Sequence, residues 1–228
     1  MKSLVSVTAA LLASGVAFTH AAEPSDDRAE SQHADQKKVL ISYRNLTAGQ
    51  AFSPSVFYSH NEAAPPLFVE GQPAPFALQR IAEEGNVGPL LTGRVSKISG
   101  GAYLHWTLGA PAKPQATRTV AVLVSEEHPF VTGAFMLAMT NDGFSGIHAI
   151  DAYSLQEPMH IELFAYDAST EVNNELGDSL IAMEGTARDP ESGVVHRHEG
   201  LRGDADAPGF WKFDPALPVA IVTIMPAP

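Results

Sequence analysis

Three acids stand just beyond stretches that read as strands. Asp142 follows Ala134 to Thr140, Asp167 directly follows Tyr166, and Glu171 comes four residues later in Asp167-Ala168-Ser169-Thr170-Glu171. Carboxylates brought together repel, and each then resists ionisation. A divalent cation removes that conflict. An all-oxygen donor set favours a hard ion, and Ca²⁺ tolerates irregular coordination completed by carbonyls and water, where Mg²⁺ demands a tight octahedron. Turns also favour Asp for its backbone hydrogen bonds. A calcium site and a set of ordinary acidic turns therefore both account for the pattern.

The second candidate is His196-Arg197-His198-Glu199. Residues two apart on a strand share a face, so His196 and His198 could hold one metal. Asp204, Asp206 and Asp214 are the nearby carboxylates that could join them. Two His and a carboxylate could host Zn²⁺ or Fe²⁺ in a hydrolase or oxygenase. No spacing fixes the third ligand, and the simpler expectation is a solvent-facing polar side of an edge strand. His60, His105, His128, His148 and His160 are scattered, and Trp106 and Trp211 are expected in packing. There is no Gly-rich phosphate loop and no nucleophile elbow.

The elements that must position these residues are mostly strands. Val39 to Tyr43, Ser55 to Tyr58, Thr119 to Val124, Ala134 to Thr140, Ile147 to Ala152, His160 to Tyr166 and Val219 to Ile224 are short, apolar and rich in β-formers. Asn141-Asp142-Gly143 is a strong turn signal. One short helix is predicted near residues 75–84. Ala77, Leu78, Ile81 and Ala82 lie on one face there, with Pro75 at the start and Gly85 at the stop. Many short strands with little helix predict an all-β fold, an antiparallel β-sandwich. Loops cluster at the two ends of a sandwich, so the acidic loops can converge.

Composition narrows the functions. The chain has 228 residues, 45% of them hydrophobic, enough for one core-bearing domain. A formal charge of −12 argues against nucleic acid as a partner and against docking on an anionic membrane. With no cysteine, disulfides, Cys-ligated zinc, iron–sulfur clusters and thiol catalysis are excluded. Residues 1–22 read as a signal peptide: Lys2, an apolar run from Leu4 to Phe18, then small residues for cleavage after Ala21 or Ala22. Residues 23–37 read as a disordered acidic leader, and 38–228 as the domain. No later stretch reaches the ~20 apolar residues of a membrane span. The expectation is a secreted or periplasmic protein.

The segments Leu40-Ile41-Ser42-Tyr43-Arg44-Asn45-Leu46-Thr47 and Gly49-Gln50-Ala51-Phe52-Ser53-Pro54 resemble the opening of a spondin N-terminal domain of the bacterial type. Thr140-Asn141-Asp142-Gly143-Phe144-Ser145-Gly146 resembles its Asp-containing turn. Ala165-Tyr166-Asp167-Ala168-Ser169-Thr170-Glu171 resembles its Tyr/Trp-Asp-Ala-Gly-Thr-Asp/Glu motif. Gly193 to Leu201 and Pro218 to Ile224 also fit, so the similarity runs over roughly residues 38–226. Ser169 stands where the family has Gly, and Glu171 where many members have Asp. The resemblance implies a C2-like β-sandwich with a structural Ca²⁺ held by Asp142, Asp167 and Glu171. It also makes the sequon Asn45-Leu46-Thr47 incidental.

The expected function is thus an exported calcium-binding domain with a binding or adhesion-type role and no catalysis. Its partner would be an extracellular protein or a glycan. The rival expectations are a metal-dependent enzyme using His196 and His198, and an ion-independent envelope scaffold.

Overall fold

The computed structural model describes residues 35–93 and 101–228. The expected signal peptide and the expected leader before Asp35 lie outside them. Two antiparallel sheets pack as a sandwich. The four-stranded sheet has the order β4-β1-β10-β7, with β1 Lys37–Asn45, β4 Thr117–Val124, β7 Met159–Leu163 and β10 Ala220–Pro226. The six-stranded sheet has the order β3-β2-β5-β6-β8-β9, with β2 Ser55–His60, β3 Tyr103–Gly109, β5 Phe130–Met136, β6 Gly143–Asp151, β8 Tyr166–Asp167 and β9 His196–Arg197. Two short helices, α1 Phe76–Glu84 and α2 Gly88–Gly93, complete the regular structure described. No helix of the described residues is long and apolar enough to cross a membrane.

Side-chain alternation sets the register of the first sheet. Val39, Ile41, Tyr43 and Asn45 point inward from β1, and Ile41 and Tyr43 sit opposite Ile224 and Val222 of β10. A slip of one residue would turn this whole set to solvent. β1 begins at Lys37, which pairs with Val124, so the last leader residue is already in the sheet. Facing β1 across the core are Phe57, Val131, Phe135 and Ile147 of the six-stranded sheet. Tyr43 is the hinge of this packing. Its ring lies 5.7 Å from both Phe57 and Phe135, and its hydroxyl donates to Ala110 O while accepting from Ser55 Oγ.

A second core covers the outer face of the six-stranded sheet. Leu78 and Ile81 of α1 and Leu90 of α2 pack on Val56, Tyr58, Ala134 and Phe144. α1 ends where the sequence places its stop. Gly85 adopts φ 63°, and the N–H groups of Gly85 and Asn86 return to Ile81 O and Arg80 O in a Schellman closure. Sequence reasoning expects a single helix; α2 is a second, six residues long, too short to show a period.

The strand β3 also escapes sequence reading, because its pairing with β2 is irregular at His60. It carries Trp106 on an edge, 39% exposed rather than packed, whereas Trp211 is buried as expected. The predicted strand Ala134 to Thr140 is shifted: β5 ends at Met136, Leu137 makes an isolated bridge to Phe52, and the chain then turns. Asn45 is buried, its Nδ2 donating to Gln50 O and Ala112 O, so the sequon offers no amide to a glycan.

The chain also packs tightly in the centre of the six-stranded sheet. A Cβ on Gly133 would fall 2.1 Å from Phe57 Cδ1 and 2.6 Å from Val56 O. We expect Gly133→Ala to lower stability by about 1–3 kcal/mol through overpacking. Gly209→Ala, with nothing within 4 Å of the new carbon, should stay within about 0.5 kcal/mol. Urea unfolding of the two variants checks the contrast, and equal midpoints would count against this packing.

Candidate functional site

The acidic loops meet where β6 pairs with β8. Gly143 lies opposite Asp167 and Phe144 opposite Tyr166, so Asp142 and Asp167 are brought side by side at one end of the sandwich. Local bonds fix the first loop: Thr140 Oγ1 donates to Leu137 O and accepts from Gly143 N–H. Both carboxylates are buried, Asp142 at 0% and Asp167 at 1% exposure.

Each carboxylate organises the second loop. Asp142 Oδ2 accepts from Thr170 N at 2.6 Å, Thr170 Oγ1 at 3.1 Å and Glu171 N at 3.1 Å. Asp142 Oδ1 is buried with no hydrogen-bond partner. Asp167 Oδ1 accepts from Ser169 N at 2.6 Å, and Oδ2 from Asn173 Nδ2 at 2.5 Å. Ser169 adopts φ 52°, in the region that favours Gly. That explains physically why Gly would suit the position. Its hydroxyl donates to Val194 O at 2.8 Å, a bond that Gly could not make.

Burial and the neighbouring Asp167 charge push Asp142 up to about 7, against the opposing pull of the Thr170 and Glu171 bonds. The ordinary carboxylate value is 3.8. Between these values the folded chain holds a proton that the unfolded chain has released. The resulting stability is present at low pH and lost as pH rises towards 7. In metal-free buffer we expect unfolding free energy to fall between about pH 4 and 7, by up to about 1.4 kcal/mol per pH unit for one proton. Asp142→Asn should flatten that slope in urea titrations. An unchanged slope would show that Asp142 is not its source.

Glu171 is buried beside this pair, but its carboxylate is held elsewhere. Oε1 pairs with Arg188 at 2.6 Å, and Arg188 reaches Glu84 of α1 at 2.6 Å with its other nitrogen. Burial raises the pKa of Glu171 and Arg188 lowers it, and the other charges acting on it are Glu83 and Glu84, not the Asp pair. The structure therefore brings two of the three predicted acids together and turns the third towards an arginine. Among the described residues no group of three or more His, Cys, Asp or Glu side chains is placed to hold a metal ion.

The same loops carry further unsatisfied polar atoms, the Asn141 Nδ2 donor among them. Glu171 Oε2, Asn141 Oδ1 and Asn173 Oδ1 are buried without hydrogen-bond partners, as is Asp142 Oδ1. Asn141 and Asn173 were not singled out by sequence reasoning, although Asn141 lies inside the turn motif. Arg188 carried no sequence signal at all.

The histidine pair does not converge. His196 is exposed, its Nδ1 against Arg197 O, while His198 is 1% exposed and packs on Phe213. β9 is only two residues long, so the expected alternation breaks between them. The solvent-facing reading holds for His196 and fails for His198. Gly200 N–H donates to His198 Nδ1, which leaves the proton on Nε2, a nitrogen buried without a partner. A protonated Nε2 has no lone pair for a metal. Burial lowers the pKa of His198, outweighing the charge of Asp167. Asp204 pairs with Arg202, Asp206 accepts from Gly177 N, and Asp214 accepts from Ala216 N. We expect His196→Gln to change stability by less than about 0.5 kcal/mol. His198→Gln should cost about 1–3 kcal/mol through lost packing and an unsatisfied Gly200 N–H. Equal effects in urea unfolding would contradict this burial.

No protein-family model matches the chain, and no curated protein matches it.

Proposed function

We propose that this chain is an exported β-sandwich domain of the spondin N-terminal kind, which binds a structural calcium ion and recognises a partner without transforming it. The observation that carries this reading is the buried Asp142–Asp167 pair, with buried oxygens on Asn141, Asp142, Glu171 and Asn173 of the same loops left without donors. Burying like charges together is costly unless something neutralises them. The donors are all oxygen, and they come from irregular loops, the setting that Ca²⁺ accepts and Mg²⁺ resists. The residues present fit the ion in chemistry, being oxygen donors. Asp142 and Asp167 would supply the charge and the Asn141 and Asn173 amides further oxygens, while Glu171 would have to turn from Arg188 to join them. The ion would fix the two loops against each other.

Complete burial of the carboxylates favours a structural ion over a catalytic one, because a substrate must reach a catalytic metal. The partner, an extracellular protein or a glycan, would meet other surfaces. The rival reading, an ion-independent scaffold, draws support from the bonds that both Asp side chains already make within the loops.

Calcium titration followed by thermal melting separates the two. An ion that binds only the folded chain stabilises it by about 2.7 kcal/mol at a hundredfold excess over Kd. Asp142→Asn should abolish that gain. In chelator the same variant should be neutral or stabilising, since Asn keeps an acceptor for the three bonds to Oδ2 and removes the like charge beside Asp167. A wild-type melting curve indifferent to calcium would sink the proposal and leave the scaffold. Destabilisation by Asp142→Asn, equal in calcium and in chelator, would count the same way.

A further inference from the structure

At the other end of β5 the molecule carries an open trough. Phe130 starts that strand and Met136, next to the acidic turn, ends it, a separation of roughly 20 Å at strand rise. Two adjoining chambers of about 360 and 350 Å³ share Asn61, Glu62 and Phe130. One is mainly apolar, walled by Ala64, Pro66, Val69 and Phe130 with His60 and His148. The other is edged by Glu126 and Glu127.

The backbone is shaped to open this place. β5 and β6 lose register between Val131 and Gly133, where Ala149 adopts φ 47°. Thr132 Oγ1 accepts the Ala149 N–H and contacts His60 Nε2, so it fastens the bulge to the trough wall. Bulges of this kind re-aim side chains. Here the effect is to bring His148 and Ala149 to the rim.

The charge around the trough has one sign. Glu62, Glu126 and Glu127 are exposed, and none forms an ion pair among the described residues. Asp35 adjoins them through the Glu126 N–H. Lys37 of β1 is engaged with the carbonyl and ring of Tyr153. Burial lowers the pKa of His60, and the protein around His148 lowers that of His148, so both stay neutral at pH 7.5. His128 is buried, its ring nitrogens facing Ser125 Oγ and Gly101 O.

We propose that this trough is a binding site for a small organic cation, an arylalkyl or alkyl ammonium ion. Its hydrocarbon part fills the chamber of Ala64, Pro66 and Val69. Its ammonium group lies among Glu62, Glu126 and Glu127, with the face of Phe130 available for cation–π contact. Chambers of this size suit a small molecule. The site is independent of the calcium reading, since it shares no residue with the acidic loops.

The test is calorimetric titration of the whole chain with phenethylammonium at pH 7.5 and low salt, once in calcium and once in chelator. 2-Phenylethanol serves as the neutral analogue and 3-phenylpropionate as the anionic one. Phenethylammonium should bind with unit stoichiometry, at least tenfold tighter than the alcohol, with the anion not bound. Its affinity should fall with added salt. The triple variant Glu62→Gln, Glu126→Gln, Glu127→Gln should remove the preference for the cation while its melting temperature stays near wild type, because all three positions are exposed. Phe130→Leu should weaken the cation more than the alcohol. Absence of saturable amine binding, equal affinity for amine and alcohol, or a triple variant that still prefers the cation would each overturn the site. A lysine-rich peptide binding more tightly than the amine, with the same glutamate dependence, would overturn it in favour of a protein partner.

Discussion

Two residue pairs, Gly143 with Asp167 and Phe144 with Tyr166, are all that joins β6 to β8, yet they force two carboxylates into one buried place. Everything at that end of the sandwich answers this crowding. The chain meets part of it with hydrogen-bond donors from Thr170, Glu171, Ser169 and Asn173. It meets another part with a proton, held on Asp142 by burial and the Asp167 charge. The third acid, Glu171, is neutralised separately by Arg188, which ties the loop to α1 through Glu84. A divalent cation is the one remaining neutraliser that would also use the oxygens left without donors. A cation bound there would displace that proton, so under the calcium reading pH and calcium would act on a single equilibrium.

The rest of the fold keeps this junction in place by covering the six-stranded sheet on both faces. β2 shows the consequence most clearly, with all six of its residues buried. Phe57 faces the sandwich core while Val56 and Tyr58 face the helices. The long irregular stretch between β8 and β10 is held in a different way, by a buried carboxylate with complete backbone pairing. Glu175 accepts from Arg202 N and Gly203 N at 2.5 and 2.6 Å. That contrast with Asp142 is informative. Glu175 has a donor for each oxygen and needs no ion, whereas Asp142 leaves one oxygen bare.

The parts legible in the sequence are those ruled by local chemistry. β1 and β10 alternate because one face is covered, and α1 is bounded by Pro75 and Gly85, whose backbones stop a helix by themselves. The Asn141-Asp142-Gly143 turn was readable for the same reason. β2 looked weak because burial on both faces erases alternation. β3 was missed where a bulge broke its pattern, and the end of β5 was misplaced because its apolar run continues into the turn. At the site, Asp142 and Asp167 were found as acids beyond strand ends. The turning of Glu171 towards Arg188 and the burial of His198 depend on partners distant in the sequence, and no spacing announces them.

The same burial limits what the paired carboxylates can reach. A catalytic carboxylate or metal must be approached, and both paired Asp side chains are covered. A general base must also have a partner to take a proton from, and the buried His198 directs its lone pair at Gly200 N–H. What the acidic end can do is stiffen: any neutraliser that fixes Asp142 and Asp167 also fixes the loop from Ser169 to Asn173, and through Arg188 the helix on the outer face. Recognition would then fall to exposed surfaces supported by that frame. The bulged end of β5 and β6, where apolar walls stand beside glutamates that form no ion pair among the described residues, is a surface of that kind.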